Sequence, residues 1–137
     1  MTLSWHDKLE IRELVARYDH AIDSGDPEGW AATFTEDGSW NGGVVVSGQA
    51  ELLAFARGLP ANPAFAAFRP SFHFFANVLV EETTPGEARL LCDNLMLQPR
   101  AGAGVAALTA AGYDDIVRRV DGRWLFASRR WRPVRLS

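Results

Sequence analysis

The sequence predicts an α+β fold in which a curved antiparallel sheet wraps around three N-terminal helices. Apolar residues recur at helical spacing in the first part of the chain, and later stretches alternate in the manner of strands between short turn signals. Short turns make consecutive strands antiparallel neighbours. The resulting sheet must bury one of its faces, and the helices are the elements available to cover it.

The first helix is predicted over residues 7–24. Its buried stripe consists of residues at helical spacing: Ile11, Leu14, Val15, Tyr18 and Ile22. Gly25 is typical of a helix end, and Asp26 followed by Pro27 is typical of the start of a new helix. We expect this second helix to extend to about Phe34.

A short strand, a third helix and four longer strands complete the prediction. An extended run over residues 35–40 precedes the turn signal "NGG", and the third helix follows in "QAELLAFARGL", which Pro60 ends. The longer strands are expected at residues 71–81, 87–97, 112–120 and 124–131. We interpret the Ala/Gly-rich residues 100–112 as a loop or hairpin connection, so that residues 1–137 form a single domain.

Composition and charge exclude several classes of function. With 47% hydrophobic and 23% charged residues, the chain has the composition of a packed globular domain. A net charge of −3 gives no basic field for nucleic acid. The N-terminus lacks the apolar run of a signal peptide, and no window reaches the ~18 apolar residues of a membrane span. We therefore expect a cytoplasmic protein that binds neither nucleic acid nor membrane.

Sequence motifs for bound cofactors are absent. The chain contains no GxGxxG, GxxxxGK[ST], GxSxG or HExxH pattern and no pair of cysteines. Cys92 lies in an apolar stretch without a nearby Cys or His, and we interpret it as a small buried side chain. We expect no cofactor and no metal, so an enzyme with this sequence would rely on proton transfer.

Asp23 is the first candidate functional residue. It follows Ile22 at the edge of the buried stripe, in the last turn of the predicted helix, where the helix dipole disfavours an acid. A residue that breaks a local rule without an obvious gain is a functional candidate. The alternative is a solvated side chain, or a cap for backbone groups in the "DSGD" turn.

His73 is the second candidate. Strand alternation places His73, Phe75 and Asn77 on one face, with Phe74 and Val78 on the other. A lone histidine in an aromatic strand is usually a hydrogen-bonded structural group. If a carboxylate met it inside a cavity, the imidazole would be held in one tautomer and could serve as a general base.

Three further polar residues accompany these candidates. Tyr18 lies on the buried stripe, so its hydroxyl needs a partner or is free to donate to a ligand oxygen. Tyr113 and Asp115 share one face of the third long strand with Arg119. The two faces of that strand differ little in polarity, so alternation alone leaves open which one points inward.

Four stretches of the chain resemble the SnoaL-like branch of the nuclear transport factor 2-like superfamily. They are "ARYDHAIDSGD", "FTEDGSW", "SFHFFANVLVE" and "GYDDIVRRVDGRWLFASRR", and the resemblance covers roughly residues 7–132. It implies a sheet closed by helices into a cone with one deep, mostly apolar pocket for a small molecule.

The resemblance also implies roles for individual residues. In lyases of this family an aspartate that ends the first helix pairs with a histidine of the "HF" strand, and those positions match Asp23 and His73. Tyr18 matches a catalytic tyrosine, and Arg119 a pocket arginine. Asn94 is a further candidate donor to substrate oxygen, and we place Tyr113 and Asp115 with the substrate-binding residues.

A second pocket histidine of some members is absent here. Gln98 or a neighbour occupies that position, which argues against an identical substrate.

The leading hypothesis is a cofactor-independent lyase or isomerase of the dehydratase type, acting on a small apolar cyclic substrate. The alternative is a non-catalytic ligand-binding or assembly subunit similar to the small subunit of ring-hydroxylating dioxygenases. An open cavity with Asp23 and His73 in its wall favours the enzyme, whereas a packed interior favours the subunit. A weaker third hypothesis is an epoxide hydrolase that uses Asp115 and Arg119.

The sequence also predicts self-association. We expect an exposed sheet face rich in Trp and Arg, and apolar patches of that kind rarely stay uncovered. A homodimer or higher homo-oligomer is therefore expected.

Overall fold

A computed structural model describes residues 3–102 and 104–133. The helices are α1 (Trp5–Ser24), α2 (Pro27–Ala31) and α3 (Gln49–Gly58), followed by two short 3-10 helices at Leu59–Ala61 and Pro63–Phe68. The strands are β1 (Phe34–Asn41), β2 (Val45–Ser47), β3 (Phe72–Thr84), β4 (Glu87–Arg100), β5 (Gly104–Val120) and β6 (Arg123–Pro133). None of the described helices has the length and apolar character that crossing a membrane requires.

The six strands form one curved mixed sheet in the order β2-β1-β6-β5-β4-β3. Every neighbouring pair is antiparallel except β1 and β6, which run parallel. The α+β class is confirmed, and β1–β6 is the pair in which the sheet departs from a wholly antiparallel one. These two strands are far apart in sequence, so no tight turn sets their relative direction.

The helix boundaries follow from local capping groups. Ser4 and Asp7 form a capping box at the start of α1, in which each side chain accepts a hydrogen bond from the other residue's backbone N–H. At the other end, Gly25 adopts the left-handed conformation with φ 73° and donates to α1 carbonyls. Asp26 then caps α2 by accepting a hydrogen bond from the Gly29 backbone at 2.9 Å. The predicted stop at Gly25 and start at Asp26 are confirmed.

The second helix is shorter than expected, since it ends at Ala31 and Phe34 already belongs to β1. The Gln49 side-chain amide lies at this bend and donates to the backbone carbonyls of Ala31, Phe34 and Thr35 at 2.9–3.1 Å. These long-range hydrogen bonds satisfy carbonyls that further helical turns would otherwise have used. The early end of α2 therefore depends on a residue from α3, which local sequence patterns do not reveal.

The core lies between α1 and the concave face of the sheet. The predicted stripe of α1 is buried at Ile11, Leu14, Val15 and Tyr18, and Ile22 packs against the core at its edge. Trp124 connects the far end of the sheet to the start of this helix, because its indole N–H donates to Asp7 Oδ1 at 2.9 Å. The start of the first helix is thus fixed to the sheet.

A bulge in β3 changes which residues face the core. Ala76 pairs with Asp93 and Leu79 with Leu91, so Asn77 and Val78 together oppose a single residue of β4. Asn77 adopts a positive φ of 53°, and its side chain donates to Asp93. The predicted placement is therefore wrong after Phe75: Asn77 is exposed and Val78 packs on the core.

The Ala/Gly-rich stretch is mostly strand. β5 begins at Gly104 and pairs with β4 from Arg100 onward, so the turn between them is short and the predicted loop over residues 100–112 is wrong. The pairing partner explains the difference, because β4 is long and supplies backbone hydrogen bonds to residues of low strand propensity. Ala103 lies outside the described residues.

The outer face of the sheet carries exposed apolar side chains and arginines. Large exposed side chains on β3 and β4 include Phe72, Phe74, Leu79 and Leu95, which we call the outer apolar patch. The prediction that tryptophans populate this face is wrong, because Trp124 is buried and Trp131 packs against the core. The predicted arginines do lie on this face: Arg89 and Arg130 are there, and both donate hydrogen bonds to Asp114.

Candidate active site

Asp23 and His73 meet where the end of α1 faces the start of β3. Asp23 Oδ1 lies 2.6 Å from His73 Nδ1, and Asp23 Oδ2 accepts a hydrogen bond from the His73 backbone N–H at 2.8 Å. Their side chains are only 18% and 10% exposed. The carboxylate therefore holds the backbone and the ring of His73 at once. We call this pair the dyad.

The dyad defines the state of the imidazole. A carboxylate has only acceptor oxygens, so the hydrogen bond at Nδ1 makes Nδ1 the donor. In the neutral ring, Nε2 then carries the lone pair and is free to accept a proton. An acid at a helix C-terminus is locally unfavourable, and the two N–H donors of His73 offset that disadvantage.

A cavity of about 370 Å³ lies beside the dyad. Its volume is typical of a small-molecule site. Its walls are mostly aromatic, formed by Tyr18, Trp30, Trp40, Phe55, Phe65, Phe68 and Tyr113. Besides the dyad and the tyrosines, polar groups at its wall come from Ser71 and Arg69.

The aromatic wall is built from several separate elements. Trp30 of α2 lies 6.3 Å from Trp40 of β1 between ring centroids, Trp40 lies 5.0 Å from Phe55 of α3, and Phe55 lies 5.6 Å from Phe65. Tilted and edge-on contacts at these distances are favourable and specific in geometry. These ring–ring contacts therefore fix the positions of the side chains around the cavity and give it a defined shape.

Tyr18 of α1 and Tyr113 of β5 both line the cavity. Burial raises the pKa of both phenols above their ordinary value, strongly so for Tyr18. Both hydroxyls are therefore protonated at neutral pH and can donate hydrogen bonds. The structure thus places four of the candidate residues, Tyr18, Tyr113, Asp23 and His73, around one cavity.

Arg129 lies directly behind the two tyrosines. Its guanidinium carbon is 4.1 Å from the ring centroid of Tyr18 and 3.9 Å from that of Tyr113, and the residue is 1% exposed. Its Nε lies 3.6 Å from Asp115 Oδ2. Although burial alone would lower the pKa of Arg129, Asp115 and the neighbouring phenols raise it above the ordinary value, so the guanidinium stays charged.

Sequence alternation does not predict Arg129 as an inward residue, because a second bulge intervenes. Between Phe126 and Ser128 the register of β6 shifts against β5, so the inward positions run Trp124, Phe126 and then Arg129. Regular alternation from Phe126 would have placed Arg130 inside and Arg129 outside. No glycine or proline marks this point in the sequence.

Asp19 is a second buried residue that was missed. Burial raises its pKa to about 6, and its Oδ2 has no hydrogen-bond partner among the described residues. It lines a second, larger cavity of about 690 Å³, which shares Asp23 and His73 with the first. The sequence does indicate that Asp19 points inward, since it lies four residues after Val15 and four before Asp23, on the buried side of α1.

Three predicted site residues lie away from the cavity wall. Arg119 is wrong as a pocket arginine: its side chain is 50% exposed and lies 3.9 Å from Asp7, because β5 runs past the core before it ends. Asn94 and Asp115 face inward but are buried below the cavity and do not line it. Asp115 is fully buried, and burial raises its pKa to about 7 although Arg129 acts in the opposite direction.

The remaining titratable groups do not suggest a metal site. Within residues 3–102 and 104–133, no group of three or more His, Cys, Asp and Glu side chains is arranged to hold a metal ion. Cys92 is buried as predicted, and burial raises the pKa of its thiol to about 11. Its sulfur lies 3.6 Å from Arg129 Nη2, at the base of the tyrosine pair.

Comparison with known families identifies the chain. The sequence profile of the SnoaL-like domain matches residues 4–130. The chain belongs to the SnoaL-like domain family. The resemblance found in the sequence is confirmed. A search of curated proteins returns no match.

Solved structures share the fold of this SnoaL-like protein. A protein of unknown function from Mycobacterium tuberculosis is 32% identical over 96% of this chain and 74% of its own, with a TM-score of 0.81. A cystatin-like protein of unknown function from Nostoc punctiforme is 27% identical over 98% of this chain and 96% of its own, with a TM-score of 0.82. A Novosphingobium aromaticivorans protein provisionally named a scytalone dehydratase is 22% identical over 93% of this chain and 84% of its own, with a TM-score of 0.75.

Proposed function

We propose that this SnoaL-like protein is a cofactor-independent lyase or isomerase of the dehydratase type. One observation carries the proposal: a carboxylate-bound imidazole lies in the wall of an open aromatic cavity, with Asp23 Oδ1 2.6 Å from His73 Nδ1. A base, a group that orients it and a water-poor chamber are the parts that proton abstraction from carbon requires.

His73 is the general base. Its Nε2 removes a proton from a substrate carbon next to a carbonyl or a leaving group. Asp23 fixes the ring orientation and stabilises the imidazolium that forms, as carboxylates do in other His-dependent enzymes. A positioned general base contributes roughly 10²–10⁴-fold to the rate.

Tyr18 is the acid, and Tyr113 is a second donor at the same wall. In a dehydration, the C–H electron pair forms the new double bond while the C–O bond breaks. The departing hydroxyl takes the phenolic proton of Tyr18 and leaves as water, and the imidazolium proton then restores the phenol. In an isomerisation, the same donors stabilise the enolate oxygen while His73 returns the proton to another carbon.

The substrate is a small, largely apolar cyclic molecule. Seven aromatic side chains line about 370 Å³ of space, so flat or ring-shaped apolar surface is well accommodated. The few polar groups at the wall limit the number of substrate oxygens that can be satisfied there.

The other two hypotheses receive less support. A non-catalytic subunit would favour a packed interior, whereas the cavity beside His73 is open. An epoxide hydrolase would require Asp115 and Arg119 to act together, yet Asp115 is fully buried and Arg119 lies half-exposed beside Asp7.

The test is loss of proton transfer on removal of the base. A panel of small cyclic hydroxyketones is incubated in D₂O, and NMR detects both elimination and exchange of carbon-bound hydrogen. We expect His73→Ala to reduce the rate by roughly 10²–10⁴-fold, and Asp23→Asn to reduce it as well, because the amide cannot hold the required tautomer.

Two control variants match these substitutions. His6→Ala removes an exposed histidine at the start of α1, away from the cavity, and Asp26→Asn retains capping ability at α2. Both should keep the rate of the unaltered protein. Unchanged turnover in a folded His73→Ala protein would contradict the proposed function.

A further inference from the structure

We propose that Arg129 is a positioning residue that acidifies the Tyr18 and Tyr113 phenols through the faces of their rings. The inference rests on the proposed function, since it concerns the two hydroxyls assigned there as donors. Arg129 does not line the cavity and cannot touch a substrate bound in it. Its effect must therefore pass through the tyrosines.

The guanidinium lies over the rings of both tyrosines. The guanidinium carbon lies 4.1 Å from one ring centroid and 3.9 Å from the other, inside the range of strong cation–π contacts. Phe126 closes a further side at 4.7 Å. With 1% exposure, little solvent screens the charge, so its electrostatic effect on both rings is larger than it would be in water.

The physical consequence is that Arg129 stabilises the ionised, phenolate form of each tyrosine. A phenol that loses its proton gains negative charge that spreads over the ring, and a cation held against the ring face stabilises that charge. The same cation makes the neutral O–H a stronger donor to an oxygen on which charge develops. Burial works in the opposite direction, since it raises the pKa of both phenols. Arg129 thus recovers acidity that the apolar cavity would otherwise suppress.

Asp115 sets the strength of this effect. It pairs with Arg129 across the β5–β6 ladder, with its Oδ2 3.6 Å from Arg129 Nε, while its Oδ1 accepts a hydrogen bond from the Arg130 backbone N–H at 3.2 Å. Its position is therefore fixed by the strands. A carboxylate here holds the guanidinium in place and partly neutralises its field.

The titratable groups around the guanidinium come from three elements. They are Tyr18 and Asp19 on α1, Cys92 on β4, and Tyr113 and Asp115 on β5. Cys92 is a neutral thiol at physiological pH, since burial raises its pKa to about 11. The two carboxyls oppose the cation, which predicts opposite effects for removing the cation and for removing a carboxyl.

The chain offers a direct readout because Tyr18 and Tyr113 are its two tyrosines. Biosynthetic replacement by 3-fluorotyrosine, which ionises at lower pH, yields two ¹⁹F resonances that Tyr18→Phe and Tyr113→Phe assign. A pH titration by ¹⁹F NMR then follows each phenol separately and needs no substrate.

Opposite shifts are expected for the two partners. Arg129→Met should raise both titration midpoints by roughly 1–3 pH units, the effect of an opposite charge at this range. Asp115→Asn, which keeps its shape and leaves the guanidinium unneutralised, should lower them. The matched control is Arg130→Met, which removes the next arginine of β6, an exposed one paired with Asp114. It should leave both midpoints unchanged.

Each outcome decides the inference. Midpoints that stay unchanged in both variants overturn it, and if Arg129→Met fails to fold by near-ultraviolet circular dichroism, the Asp115→Asn shift decides alone. With an active substrate, Arg129→Met should lower kcat and leave KM nearly unchanged. Shifted midpoints together with full activity of His73→Ala would reject the proposed function and leave the electrostatic role of Arg129 standing.

Discussion

Asp23 uses each of its two oxygens for a different part of His73. One oxygen holds the ring and the other holds the backbone N–H, at 2.6 and 2.8 Å. The contact that orients the His73 ring also joins the start of β3 to the end of α1. A substitution at Asp23 must therefore be judged by stability as well as by turnover.

Asp19 makes stability depend on pH. Its pKa is about 6 when folded, against 3.8 ordinarily, because burial disfavours the charged form. Since the folded state then holds the proton more tightly than the unfolded state, stability falls as pH rises from roughly 4 to roughly 6 and stays reduced above that. At full ionisation this displacement corresponds to about 3 kcal/mol.

Asp19→Asn should remove that dependence. Urea denaturation is expected to show the variant more stable than the unaltered protein at pH 8, with a smaller difference at pH 4. Asp37→Asn, at an exposed carboxyl, serves as the control for a loss of charge alone. An equal difference at both pH values would show that Asp19 does not titrate in this window.

The sequence predicts the helix ends and the strands correctly in many places, but it does not predict the bulges in β3 and β6. The caps at Gly25 and Asp26 follow from local chemistry and were predicted at the right residues. Asp23 and His73 are candidates from a broken local rule, from strand position and from the family resemblance, and the structure places them within hydrogen-bonding distance. Arg129 and Val78 were missed because each follows a one-residue insertion that reverses the inward face, and the turn from β4 into β5 was placed too late.

The bulge in β3 depends on Asn77, whose φ of 53° is a conformation that asparagine tolerates and β-branched residues do not. Asn77→Val should destabilise the fold by about 1–2 kcal/mol in urea denaturation, whereas Asn77→Gly should cost little. Asp93→Ala measures the contribution of the hydrogen bond to Asn77 separately. Equal stability of the Val and Gly variants would mean that the strand adopts another register.

At the scale of the molecule, the outer apolar patch predicts self-association. Phe74 and Leu95 are cross-strand partners, both exposed, and Phe72 and Leu79 extend the same surface along β3. We expect a homo-oligomer by sedimentation velocity that Phe74→Glu dissociates. Leu9→Glu, at an exposed apolar residue of α1, should leave the assembly intact. A monomer at high concentration would contradict this prediction.

The segment between α3 and β3 forms one wall of the cavity and carries none of the proposed catalytic residues. Leu59, Phe65 and Phe68 face the chamber, and the second 3-10 helix buries none of its residues fully. The proposed base His73 and the proposed acid Tyr18 lie on β3 and α1 instead. Substitutions in this segment would therefore change which molecules the chamber admits, while Tyr18, Asp23 and His73 stay in place on α1 and β3.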